Sequence, residues 1–309
     1  MPSTRQRLLG ITAGLTTLLA GSLALPVTGV ASAQPARSRS VLFAHSTLSG
    51  LGASVDESVV RLPAVAPAPA APTASPSGVS APRGDLPGWN QVYAEDFGTP
   101  NATGSFPSAG YERHWDVYQD GWKDTSHNGT YMPSKVLSVH GGVLDYSVRT
   151  ENGQHLVAAP WLTDTSGHTY GRYSVRFRAD ALPGYKTAWL LWPDSESWPA
   201  GGEIDFPEGN LGRTDTINAF SHHASAAGGQ EAFGTHATFA AWHTVTVEWV
   251  PGKVTFQLDG QVIGVSTTMV PRDAMHWVLQ TETNLDGYAP AASVHGHVLV
   301  DWVAFWTRG

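Results

Sequence analysis

Apolar and polar residues alternate at many places after residue 86, with the two-residue period of a β-strand. In GRYSVRFRAD, Tyr173, Val175 and Phe177 fall on one face, and polar residues, mostly arginines, fall on the other. The stretch WHTVTVEWV repeats this alternation. In KVTFQLDGQVIG, the pair Asp259-Gly260 separates two apolar runs, which is typical of a tight hairpin.

Further candidate strands are short, rich in β-branched and aromatic residues and bounded by turn residues: VLSVH, GGVLDYSVRT, KTAWLLW, TINAFSHH and MHWVLQTETN. The last candidate, VLVDWVAFW, is apolar on both faces, which predicts a central strand. No long stretch outside the N-terminus has the 3.6-residue period of a helix. Many strands joined by Gly, Asp, Asn and Pro turns predict an all-β jelly roll, a sandwich of two antiparallel sheets.

The N-terminus has the pattern of an export signal. Arg5 and Arg7 precede a long apolar run, which ends at the small-residue motif Ala31-Ser32-Ala33. We therefore expect a signal peptide at residues 1–33 and a secreted, extracellular protein. A membrane anchor is the alternative; Pro26 and several glycines disfavour it, and no comparable apolar stretch follows, so we expect no stable anchor.

Residues 34–85 differ in composition from everything that follows. They are rich in Ala, Pro and Ser and contain no Trp or Tyr, whereas all 12 Trp residues lie from Trp89 onward. A segment with so little apolar surface to bury is predicted to be a disordered linker. The sequence therefore predicts one folded domain at 86–309.

Charge and cysteine content exclude several classes of function. The 309 residues carry a net charge of −8, with only 18 Lys and Arg, which argues against a nucleic-acid partner. The absence of Cys removes disulfides, thiolate nucleophiles and Cys-based metal sites.

Three carboxylates occur within six residues in the stretch EIDFPE: Glu203, Asp205 and Glu208. Side chains of a strand alternate between its two faces, and the apolar residues Ile204 and Phe206 should face the core. Glu203 and Asp205 then face away from the core. In a regular strand Glu208 would point back into the core, which is costly for an unpaired acid. A β-bulge shifts the phase of a strand by one residue, and proline is tolerated at bulges. A bulge at Phe206-Pro207 is therefore predicted to bring all three acids onto one face.

Glycoside hydrolysis uses two carboxylates, which stand roughly 5–5.5 Å apart in retaining enzymes. Near neighbours on one strand face meet that distance, and crowding by like charge raises the pKa of the carboxyl that must hold a proton. A solvated acidic turn or a calcium loop would use the same residue types. Spacing alone leaves these interpretations open.

The motif GGEIDFPEG resembles the bulged E-x-D-x-x-E signature of glycoside hydrolase family 16, the laminarinase and lichenase group. Other stretches, in the same order, also resemble that family across nearly all of 92–309: VYAEDF, HGGVLDYSV, TYGRYSVRFRA, WHTVTVEWVPGKVTFQLDGQVI and VLVDWVAFW. The resemblance implies a concanavalin A-like jelly roll with a cleft across its concave sheet. It also implies retaining hydrolysis of a β-linked polysaccharide, commonly within the chain.

Transferred onto this motif, the family's roles make Glu203 the nucleophile, Glu208 the acid/base and Asp205 the helper between them. The candidate substrate-binding residues are Trp198, His222, Gln280, Glu282 and Trp189. Trp198 lies in a turn-rich loop and could stack on a sugar ring, and it also matches a cleft Trp of the family. Gln280, Glu282 and Asn284 share a strand face by parity, an unusually polar one.

The resemblance implies no cofactor for catalysis, but it does suggest a structural calcium ion. Asp301, inside the apolar run VLVDWVAFW, matches the usual Asp of that site, and Asp96 and the carbonyl of Gly142 match the other ligands. A buried carboxylate needs a partner or a metal. A hydrogen-bonded structural Asp is the alternative.

The substrate is less well defined than the chemistry. Where the family often has Trp-Pro-Ala-Phe-Trp, this chain has KTAWLLWP, with aromatic residues at Trp189 and Trp192. We expect a monomer that cuts a β-1,3-glucan or a mixed-linkage β-glucan. The alternative is a non-catalytic glucan-binding module on the same fold, and such proteins tend to lose the motif acids. A polysaccharide lyase or a metal hydrolase built on His222-His223 is disfavoured by the residues present.

Overall fold

The computed structural model describes residues 75–225 and 227–309. The predicted signal peptide at 1–33 and residues 34–74 of the predicted linker lie outside the described residues. Within the described part, no helix is long and apolar enough to cross a membrane.

The described residues form short strands connected by turns. In chain order, the strands are β1 (Trp89–Glu95), β2 (Trp115–Val117), β3 (Gly129–Tyr131), β4 (Leu137–His140), β5 (Val143–Glu151), β6 (Gln154–Val157), β7 (Pro160–Leu162), β8 (Gly171–Ala179), β9 (Tyr185–Pro193), β10 (Glu203–Asn210), β11 (Thr216–His222), β12 (Gln230–Thr238), β13 (His243–Val250), β14 (Lys253–Leu258), β15 (Gln261–Ser266), β16 (Met275–Thr283) and β17 (Gly296–Arg308). A one-turn helix, α1 (Pro133–Val136), and two 3-10 turns, Tyr111–Arg113 and Thr163–Thr165, lie between strands.

The strands form two sheets. The sheet that carries the acidic motif, called the cleft sheet after the cleft that the resemblance implies, has the order β12-β11-β10-β9-β16-β7-β2. The outer sheet has the order β15-β14-β13-β8-β17-β5-β6-β3, with β1 on β17 and β4 on β5. All strand pairs are antiparallel except β3 with β6. The all-β sandwich predicted from the sequence is confirmed.

The alternation seen in the sequence separates the core from the surface. Tyr173, Val175 and Phe177 on β8 are buried between the sheets, as the pattern predicted. The hairpin between β14 and β15 turns at Asp259 and Gly260, whose φ angles are 49° and 79°; a type I′ turn needs positive φ at both positions. Strand β17 is central, since it pairs with β8, β5 and β1.

Strand β12 has no counterpart among the sequence predictions. It lies at the edge of the cleft sheet and pairs only with β11, and its residues alternate between exposed and half-buried. An edge strand buries little apolar surface and therefore gives a weak hydrophobic pattern.

Residues 75–85, the last part of the predicted linker, contact the outer sheet. The indole Nε1 of Trp302 donates to the carbonyl of Val79 at 2.8 Å, and that of Trp306 donates to the carbonyl of Gly84 at 3.1 Å. These carbonyls give two large, buried tryptophans the acceptors that their N–H groups require. The boundary expected at residue 86 therefore does not hold, because the packed part of the chain includes residues 75–85.

The two carboxylates among the predicted calcium ligands have other partners in the structure. Asp301 is buried in β17, and the hydroxyls of Ser75 and Ser77 donate to its Oδ2. Asp96 is exposed and pairs with the Arg83 guanidinium at 2.8 Å. Gly142, with a φ of 80°, belongs to the turn between β4 and β5. The alternative interpretation, a hydrogen-bonded structural Asp, describes Asp301.

Candidate active site

The bulge predicted in the acidic motif is present on β10. Asp205 pairs with Leu190 of β9, and Glu208 pairs with Ala188, so that three steps along β10 correspond to two along β9. The register also shifts against β11 over the same interval. Because Leu190 and Ala188 are two residues apart, they lie on one face, and the Phe206-Pro207 bulge therefore brings Asp205 and Glu208 onto that face together. Ile204 and Phe206 are buried in the core behind them.

Glu203, Asp205 and His222 form a tight cluster on the cleft face. His222, on β11, lies directly opposite Glu203, and its Nε2 is 3.1 Å from Asp205 Oδ2. One ligand atom from each of the three residues lies within 4.8 Å of the others. Asp205 is only 1% exposed. Glu203 and His222 are half-buried, so the cluster crowds two carboxyls together and still borders the surface.

Burial raises the pKa of the Glu203 carboxyl well above its ordinary value, and the charge of Asp205 raises it further. The pKa of Asp205 is also raised well above its ordinary value, first by burial and then by Glu208. Two carboxyls in direct contact cannot both ionise cheaply in such surroundings. The arrangement therefore retains a proton within the Glu203–Asp205 pair.

Glu208 makes a different contact. The ammonium of Lys186, on β9, lies 2.6 Å from Glu208 Oε1 and 3.8 Å from Glu282 Oε1, and the lysine side chain is 7% exposed. Burial alone would lower the pKa of Lys186, but Glu208 and Glu282 outweigh it, and the pKa is raised. Lys186 was not predicted as a site residue. Its parity with Ala188 and Leu190 is the sequence signal that could have placed it on the cleft face.

Strand β16 contributes polar residues to the cleft face, as parity predicted. Gln280 lies opposite Ala188, and Glu282 lies opposite Lys186. Gln280 is half-buried, whereas Glu282 is 1% exposed and accepts a hydrogen bond from the backbone N–H of Thr125 at 3.3 Å. Burial raises the pKa of Glu282. Gln280 is thus placed to reach a ligand, while Glu282 is a buried partner of Lys186.

The predicted aromatic contacts have different positions in the structure. Trp198 is half-buried in the loop before β10, with its ring centroid 6.4 Å from that of His222, and so lies beside the acids. Trp189 is fully buried in the core, with its ring centroid 5.0 Å from that of Phe177 on the other sheet. The assignment of Trp189 to substrate binding is therefore wrong, because odd-numbered residues of β9 face inward while Lys186, Ala188 and Leu190 face the cleft.

Two aromatic residues that were not predicted also belong to the cleft. Burial raises the pKa of Tyr118 to about 12, and the charges of Glu196, Glu203 and Glu282 add to the effect, which places the phenol among the cleft carboxylates. The ring of Trp122 packs 5.9 Å from that of Tyr118 and is 53% exposed. Trp122 lies in the loop sequence QDGWKD, a turn-rich polar stretch like the one that contains Trp198, and this pattern could have identified it from the sequence.

The buried acids predict that the folded protein loses stability as the pH rises. Glu203, Asp205 and Glu282 have folded-state pKa values above their ordinary values, so the folded state binds more protons than the unfolded state above about pH 5, and unfolding becomes easier toward pH 8. In Glu203→Gln, one of these groups is absent, and the melting temperature should fall less between pH 5 and pH 8. Thermal unfolding measured across this range tests the prediction, and parallel curves for the two proteins would contradict it.

The sequence profile of glycosyl hydrolases family 16 matches residues 123–303, more than half of the chain and including the β10 motif. A β-glucanase from Bacillus amyloliquefaciens is 28% identical over 104 residues, which are 33% of this chain and 43% of the relative. The chain thus aligns with less than half the length of that relative.

Solved structures share the fold. SCLam, a non-specific endo-β-1,3(4)-glucanase of the same family, has a TM-score of 0.59 at 21% identity, over 74% of this chain and 94% of that one. A variant of LamA from Z. galactanivorans, in complex with laminaritriose and laminaritetraose, has a TM-score of 0.56 at 20% identity, over 70% of this chain and 98% of that one. With the profile match across the carboxylate strand and both sheets, these findings establish that the chain belongs to glycosyl hydrolase family 16.

Proposed function

We propose that this protein is a retaining endo-β-glucanase that hydrolyses internal bonds of a β-1,3-glucan or a mixed-linkage β-glucan. One observation carries the proposal: the bulge in β10 gathers Glu203, Asp205 and Glu208 on the cleft face. Two carboxylates on one face, with a third between them, supply the nucleophile and the proton donor that retaining hydrolysis requires.

The proposed reaction proceeds in two steps. The Glu203 carboxylate attacks the anomeric carbon and forms a glycosyl ester, while Glu208 gives its proton to the departing glycosidic oxygen. Glu208 then takes a proton from a water molecule, whose oxygen attacks the same carbon and releases Glu203. Asp205, in contact with Glu203, takes up the proton that Glu203 holds in the resting enzyme, so that the nucleophile is ionised when it attacks.

The substrate is proposed from the cleft and from the relatives. Trp198 and Trp122 are aromatic surfaces in cleft loops, and Gln280 is an amide on the floor, a combination that suits a neutral polysaccharide. The known activity of SCLam is toward β-1,3(4)-glucan, and the LamA variant holds laminari-oligosaccharides. We propose the same class of substrate here. From the N-terminal sequence we also propose that the enzyme acts outside the cell. We further propose that it is a monomer.

The test is the release of reducing ends from laminarin, mixed-linkage β-glucan, agarose and carrageenan. We expect the largest rate on laminarin or mixed-linkage glucan, oligosaccharides as the first products, and the β-anomer as the initial product by proton NMR. Binding to a glucan without cleavage would favour a carbohydrate-binding module on the same fold. An initial α-anomer would contradict retention alone and leave the glucanase assignment in place.

A further inference from the structure

Lys186 makes an ion pair inside the cleft that the proposed reaction does not yet use. It projects from β9 between β10 and β16, and its ammonium contacts Glu208 Oε1 at 2.6 Å and faces Glu282 Oε1 at 3.8 Å. An ammonium this buried remains charged only where carboxylates compensate it. Lys186, Glu208 and Glu282 are therefore one charged unit, which links the proposed acid/base to the neighbouring strand.

The groups that face this unit are mostly acidic. From β10 come Asp205 and Glu203, the latter contacting Asp205; from β11 comes His222, beside Asp205. The loop before β3 brings Asp124, whose charge acts on Glu282 and on Tyr131 of β3, and the Tyr118 phenol is affected by both Glu203 and Glu282. Lys186 supplies positive charge where these elements meet.

Glu208 has two carboxyl oxygens, and the lysine distinguishes them. Oε1 is held by the ammonium, which favours negative charge on that atom. The proton that a general acid donates must therefore be on Oε2. Fixing one oxygen also fixes the rotation of the carboxyl group, and misplacement of a reacting group by about 1 Å can cost about a hundredfold in rate.

We propose that Lys186 is a positioning residue for Glu208: it holds Oε1 and reserves Oε2 for proton transfer to the glycosidic oxygen. The inference rests on the proposed function, in which Glu208 is the acid/base. A merely structural lysine would stabilise the fold without acting on proton transfer. The two roles differ in their effect on substrates that need no proton donor.

The experiment compares the wild type with Lys186→Met and Lys186→Arg on two substrates, laminarin and an aryl β-laminaribioside with a dinitrophenolate leaving group. The dinitrophenolate departs without protonation, so a loss confined to proton transfer spares it. For Lys186→Met we expect kcat on laminarin to fall about ten- to a hundredfold, with KM little changed. The first-turnover burst of dinitrophenolate from the aryl substrate, which reports formation of the glycosyl ester, should keep nearly its wild-type rate.

Rescue by a conservative substitution supplies a second readout. Lys186→Arg keeps the positive charge and should restore most of the wild-type kcat on laminarin. Equal losses of laminarin turnover and of the dinitrophenolate burst in Lys186→Met, or an unchanged kcat on laminarin, would overturn the inference.

A second variant and melting temperatures separate a loss of folding from a loss of activity. Lys186→Met leaves Glu282 without its cation, so Lys186→Met/Glu282→Gln is the variant to use if the single variant unfolds, and the same outcomes are expected of it. Melting temperatures confirm which proteins are folded. A wild type that cleaves neither substrate refutes the proposed function together with this inference. An active wild type with a Lys186→Met variant that keeps the wild-type kcat on laminarin refutes this inference alone.

Discussion

Replacement of Glu203 by Gln is expected to lower kcat on laminarin by at least about a thousandfold, and Glu208→Gln by about a hundred- to ten-thousandfold. Both acids lie on the cleft face of β10, and an amide can neither form the glycosyl ester nor donate the proton. These are the largest effects expected for single substitutions in this protein. Initial rates of reducing-end release from folded variants measure them.

The two variants should differ on an aryl laminaribioside with a dinitrophenolate leaving group. Glu208→Gln should form the ester at nearly the wild-type rate, since that step then needs no proton, whereas Glu203→Gln should remain inactive. Glu151→Gln is a matched control, because Glu151 is a half-buried carboxylate on the outer sheet that pairs with Lys135. Wild-type activity in either Glu203→Gln or Glu208→Gln would show that the assigned roles are wrong.

Trp189→Ala is expected to destabilise the protein by about 3–5 kcal/mol, because the substitution removes a large, fully buried ring. That ring packs against Phe177 between the two sheets, so a cavity would open in the core. We expect a lower melting temperature and an unchanged KM for the fraction that remains folded. Chemical denaturation and steady-state kinetics on laminarin test the two parts.

Trp198→Ala is the matched comparison, since it removes the same side chain from the cleft loop. We expect a higher KM for laminarin, by about five- to a hundredfold if the ring stacks on a sugar, and little change in stability. A raised KM in Trp189→Ala at full stability would contradict the burial of that residue. An unchanged KM in Trp198→Ala would exclude Trp198 from the proposed subsite.

Local pattern was sufficient to predict much of the carboxylate strand. The side-chain period of a strand is two residues, so the apolar parity of Ile204 and Phe206 already required a break before Glu208, and the proline marked its place. The register of β10 against both neighbours confirms that bulge. Parity likewise placed Gln280 and Glu282 on the cleft face.

The alternation of side chains along a strand, however, does not show which of its two faces borders the cleft. Strand β9 is apolar on both faces apart from Lys186 on one and Thr187 on the other, so the sequence offered no reason to separate Trp189 from the cleft. The pairing of β9 with β10 and β16 decided the question, and it turned Trp189 inward. The edge strand β12 escaped prediction because its surface is mostly exposed.

The sequence by itself determined the alternating strands, the hairpin at Asp259-Gly260 and the bulged acidic motif, because each depends on neighbours within a few residues. Tertiary structure alone decided the partners of the buried charges. Lys186 reaches Glu208 and Glu282 from strands that are distant in sequence, and Asp301 receives the hydroxyls of Ser75 and Ser77. Burial makes such partners necessary, but only the packing of the sheets determines which residues supply them.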